Sequence, residues 1–89
     1  MQSEEDLISR TKGYLKSFGV SVTMYEERML KLIDEVGLRG REEVLEEALR
    51  LNADLSGKVL AMIRHIEEVQ RELTRRLLEK LGSSTASGG

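Results

Sequence analysis

Apolar positions recur along this chain with changing period, and the changes divide it into elements. Residues 3–18 predict a first helix, with Leu7, Ile8, Tyr14, Leu15 and Phe18 as its apolar positions and a gap at 9–13. Ser3 is the expected cap, and Glu4, Glu5 and Asp6 suit the positive end of the helix dipole. Gly19 then stands where a glycine commonly ends a helix. Residues 20–24 alternate strictly, with Val20, Val22 and Met24 on one side and Ser21 and Thr23 on the other. Period two with β-branched residues predicts a short strand. Thr23 with Glu26 also forms a capping box for the element that follows.

Helical spacing returns at 25–36, where Tyr25, Met29, Leu32, Ile33 and Val36 share a face. Gly37 to Gly40 predict a turn. A short third helix over 41–51 turns Val44, Leu45, Ala48 and Leu49 inward, and Asn52 to Asp54 interrupt it. The longest helix is expected at 55–81. There Leu55, Val59, Met62, Ile66, Val69 and Leu73 step by alternating fours and threes, a coiled-coil seam. After Leu73 the apolar residues Leu77, Leu78 and Leu81 drift off that line. At 1.5 Å per residue this helix runs roughly 40 Å, longer than the roughly 30 Å diameter of a compact chain of this size. It needs a partner, and a second copy is the simplest. Residues 1–81 read as one helical domain and 82–89 as a flexible Gly/Ser-rich tail.

Size and composition sharpen that need. Eighty-nine residues with one Phe, two Tyr and no Trp give a thin, aliphatic core. With no cysteine there is no disulfide framework to substitute for it. No run approaches the ~18 apolar residues of a membrane span, and the acidic start MQSEEDL is unlike a signal peptide. The expectation is a cytoplasmic protein without membrane contact. Net charge −2 is the wrong sign for nucleic-acid binding by bulk electrostatics. The charge is uneven, however: 7–31 is mildly basic and 42–54 strongly acidic.

Candidate chemistry is sparse. The chain has no Gly-rich phosphate loop, nucleophile elbow or thiol, so neither an enzyme nor a cofactor is expected. The single histidine, His65, lies three residues before Glu68, and a metal site there would need Glu43, Glu46 or Glu47 as further ligands. A partly exposed histidine at the edge of the seam is the simpler reading, and no metal is expected.

The segment GVSVTMYEERMLKLIDEVGLRGREEVLEEALRL resembles the ribbon-helix-helix family of DNA-binding proteins. The likeness lies in the VSVTM alternation, the Met29, Leu32, Ile33, Val36 helix, and EEVLEEALRL after a glycine-containing turn. It covers about a third of the chain. The resemblance implies an intermolecular β-ribbon that enters the major groove of double-stranded DNA. By position, Ser21 and Thr23 would read base edges, Arg39, Gly40 and Arg41 would hold a phosphate, and Val20, Val22 and Met24 would face the dimer core.

Two readings follow. The first is a mainly α, ribbon-helix-helix-like homodimer with an extra N-terminal helix and a long C-terminal helix, a small DNA-binding transcription regulator. In it the dimer interface comprises Val20, Val22 and Met24 with Leu55, Val59, Met62, Ile66, Val69 and Leu73. The alternative is an all-α helical bundle or coiled coil, a dimeric protein-interaction module without DNA binding that engages a helical protein partner. There, 20–24 is a linker and cap between helices.

Overall fold

The computed structural model describes the backbone of residues 4–88 and the side chains of residues 6–82. It is a helical hairpin. Helix α1 spans Glu4–Glu35, a turn occupies 36–40, and helix α2 spans Arg41–Gly88. The two helices lie antiparallel in a rod of 75 × 20 × 16 Å. The fold is therefore all-helical among the described residues. The Ser3 cap lies outside them, as do the side chains of the Gly/Ser-rich segment after Gly82.

The turn falls where the glycines predict it. The α1 backbone closes with Leu38 N–H and Arg39 N–H both donating to the Glu35 carbonyl, at 2.9 and 3.1 Å. Helix α2 opens with Val44 N–H donating to the Gly40 carbonyl at 3.0 Å, while Glu42 and Glu43 occupy its first turn. Those carboxylates suit the positive end of the dipole.

The expected strand at 20–24 is corrected: Val20, Ser21, Val22, Thr23 and Met24 are helical, in the middle of α1. Ser21 Oγ donates to the Ser17 carbonyl at 3.1 Å, and Thr23 Oγ1 donates to the Gly19 carbonyl at 3.0 Å. Gly19 ends nothing, and no described glycine has positive φ. A break there would leave up to four carbonyls and four N–H groups without helical partners. Keeping the four β-branched or small polar residues Val20 to Thr23 helical costs only a few tenths of a kcal/mol each. The same balance fuses the two helices expected at 41–51 and 55–81, and Asn52 and Asp54 lie inside α2.

Packing between the helices is thin. Leu7, Leu32, Met62 and His65 are buried, and among the described residues no large side chain is fully enclosed. Two polar contacts fix the register. Thr11 Oγ1 meets His65 Nε2 at 3.0 Å, and the Tyr25 hydroxyl donates to Asn52 Oδ1. This pairing sets Glu4 level with about residue 73, so α2 continues past it by roughly 15 residues.

Candidate interaction surface

Each helix turns one row of side chains toward the other. On α1 the row runs through Leu7, Thr11, Phe18, Val22, Met29 and Leu32, and on α2 through Val44, Leu51, Leu55, Met62, His65 and Val69. The residue that follows each inward one is rotated by about 100°. Because the helices run in opposite directions, that rotation carries both followers to the same side of the hairpin. On α1 these followers include Ile8, Leu30 and Ile33, and on α2 Leu45, Ile63 and Ile66. All six are exposed, between 46% and 62%. The residues that precede the inward ones include Arg10, Arg28, Lys31, Glu43, Asp54 and Arg64. The first side thus carries a band of exposed apolar residues, interrupted by Lys12, Asn52, Ser56 and Gln70, and the second is mainly polar.

A surface hollow opens on each side. Near the turn, a groove lined by Ile33, Val36, Val44 and Leu45 opens on the apolar side, with Arg41 and Glu42 at its rim. On the opposite side a smaller hollow is lined by Ser21, Met24, Arg28, Asp54 and Lys58.

The sequence-derived interface residues divide between these faces. Leu55, Met62 and Val69 pack against α1, whereas Val59, Ile66 and Leu73 are 37–47% exposed. The single seam is therefore two rows, one used within the chain and one open. Val22 is half-buried against α2, while Val20 and Met24 are exposed. They share a helix face at four-residue spacing but form no ribbon core, which corrects their expected role.

The residues assigned to DNA are not brought together. The Ser21 and Thr23 hydroxyls are turned back onto their own helix. Arg39 is clasped by three glutamates, at 2.7 Å from Glu43, 2.7 Å from Glu47 and 3.5 Å from Glu35. The hydrogen bonds it donates to Glu43 and then Glu47 hold its guanidinium above its ordinary range. Gly40 supplies the carbonyl that begins α2, and Arg41 lies at the groove rim.

His65 was expected to be partly exposed, and this too is corrected. It is 6% exposed, bonded to Thr11, with its ring stacked on Tyr14 at a centroid distance of 4.3 Å. Placing it inward lets α1 cover the ring and satisfy one nitrogen, as a buried polar group requires. Among the described residues no three His, Cys, Asp or Glu side chains are placed to hold a metal ion. Farther along α2, Arg75 and Arg76 both reach Glu72, whose carboxyl is lowered below its ordinary value mainly by the Arg75 hydrogen bond, then by Arg76.

Sequence reading named Val59, Ile66 and Leu73 of the open row on α2 but missed its extension through Leu45, Leu49, Ile63 and Leu77. Its signal is a pair of seven-residue repeats, Leu45-Asn52-Val59-Ile66-Leu73 and Leu49-Ser56-Ile63-Gln70-Leu77. Asn52, Ser56 and Gln70 interrupt the apolar run and hide it. No described helix is long and apolar enough to cross a membrane. No protein-family model, curated protein or solved structure matches the chain.

Proposed function

We propose that this chain is a non-enzymatic, all-α interaction module that works as a homodimer, burying the apolar side of its hairpin against a second copy. One observation carries the reading: two helices present their exposed apolar rows on the same side, the shape of half a four-helix bundle. Contiguous apolar surface of this kind marks a docking face. The area supports it. The single chain exposes 7355 Å², whereas a folded monomer of 10.1 kDa exposes about 5,300 Å². The surplus of about 2,000 Å² per chain falls within the range of obligate dimer interfaces.

The DNA-binding reading depended on a strand at 20–24 and on Arg39 at a phosphate. With those residues in a helix and in ion pairs, the interaction module is the stronger reading. Dilution provides the test. The unfolding midpoint of a homodimer rises with protein concentration. A midpoint constant over a hundredfold range would contradict the proposal.

A further inference from the structure

Which way the second copy runs is written in the open row of α2. Resting on the homodimer reading above, we propose that the copies pack antiparallel about a two-fold axis at the level of Ala61, with the two turns at opposite ends. The positions of the row are symmetric about that residue. Leu45 and Leu77 lie sixteen residues either side of it, Leu49 and Leu73 twelve, Asn52 and Gln70 nine, and Val59 and Ile63 two. In a two-fold interface a residue that meets a second residue is met by it in return. The antiparallel pairing therefore layers leucine on leucine at both ends, polar amide on polar amide between them, and Val59 on Ile63 at the centre. The remaining layer sets the small Ser56 against Ile66. Asn52 Oδ1 accepts the Tyr25 hydroxyl within its own chain, which leaves its amide nitrogen to donate to Gln70 of the second copy.

The same register provides an occupant for the groove at the turn. The stretch of α2 beyond the level of Glu4 carries Leu77 and Leu78, 58% and 61% exposed. In the antiparallel dimer this stretch lies over the Ile33, Val36 and Leu45 groove of the other copy. A parallel dimer would instead set α1 over the α2 of the second copy, and Leu77 and Leu78 would pass beyond the facing helix.

Charge favours the same choice. Divided at the level of Ala61, the turn half of the hairpin, residues 16–61, carries seven basic and nine acidic side chains, net −2. The other half, residues 4–15 with 62–82, carries seven basic and seven acidic, net 0. Antiparallel packing sets each acidic half beside the neutral half of its partner. Parallel packing sets the two acidic halves together, an arrangement that like-charge repulsion disfavours.

Spin-label distances on the full chain decide the orientation. Leu38 is 85% exposed in the turn, and the chain has no native cysteine, so L38C takes a single label. At 1.5 Å per residue, the antiparallel dimer separates the two labels by about 65 Å, and the parallel one brings them within about 20 Å. K80C gives an independent reading, about 57 Å against about 20 Å. Long distances at both positions are the expected result, and a short distance at either overturns the antiparallel arrangement. Sedimentation of the same labelled samples separates the two levels of failure. A dimer with short distances removes the orientation alone, whereas a monomer removes the homodimer reading on which it rests.

Discussion

Thr11 Oγ1 and His65 Nε2 are separated by 54 residues in the chain and by 3.0 Å in space. The bond joins the two helices at a buried ring that Tyr14 also covers. It specifies register, because sliding α1 by one turn would leave a polar ring enclosed without its partner. Thr11→Val keeps the shape and removes the hydroxyl, so a loss of about 1–3 kcal/mol is expected. Adding His65→Leu removes the other polar group and should recover part of that loss. Urea unfolding at one fixed protein concentration measures both. Thr11→Val with wild-type stability would show that the bond does not hold the hairpin.

Gly13, Gly19 and Gly57 lie inside helices, and a Cβ added at any of them meets nothing within 4 Å. Alanine at each should therefore raise stability by roughly 0.5–1 kcal/mol. Gly19 is the informative position, because there the sequence suggested a helix end. Thermal unfolding of Gly19→Ala should show a higher midpoint. A lower one would mean that the backbone at 19 departs from the helix.

Ser21 and Thr23 spend their hydroxyls on carbonyls four residues back. Such bonds add little in a helix, and alanine is the better helix former. The double variant Ser21→Ala with Thr23→Ala should be equal to wild type in stability or up to ~1 kcal/mol above it. Backbone chemical shifts across 20–24 should stay helical. Strand-like shifts in either protein would restore the ribbon.

Exposed ion pairs set the dependence on salt and acid. Arg39 ties the end of α1 to the first two turns of α2 through Glu35, Glu43 and Glu47. Arg39→Ala should lower the unfolding midpoint more at low ionic strength than at high, since salt screens such pairs. Glu72 has its folded-state value lowered by Arg75 and Arg76. Its contribution is complete above the ordinary carboxylate value and is lost as pH falls through the lowered one. Glu72→Gln should accordingly flatten the acid limb of the stability profile. A limb unchanged from wild type would assign acid sensitivity to other carboxylates.

Part of this architecture was legible in the sequence, and several of the errors share one cause. The turn at 37–40 was marked by its glycines, and the long helix by the spacing from Leu55 to Leu73. Local signals misled where a long helix absorbed them. Val20 to Met24 alternate like a strand, yet α1 runs through them because each end of a break would cost several backbone hydrogen bonds. Asn52 looked like an interruption, but Tyr25 reaches across to its amide oxygen. The seam from Leu55 was real but doubled. Spacing alone does not say that Leu55, Met62 and Val69 serve the neighbouring helix while Val59, Ile66 and Leu73 stay open. His65 could not be placed from sequence, since its partners Thr11 and Tyr14 come from the far end of the chain.

The central claim is that the apolar side of the hairpin is buried by a second copy, and solution mass tests it most directly. Sedimentation equilibrium at micromolar concentration should return twice 10.1 kDa for the wild-type chain. Ile63→Glu places a charge in the open row while Ile63 remains 47% exposed within its own chain, so the helical hairpin should persist and the mass should fall to that of one chain. A wild-type mass of 10.1 kDa, or a dimer indifferent to Ile63→Glu, would contradict the account.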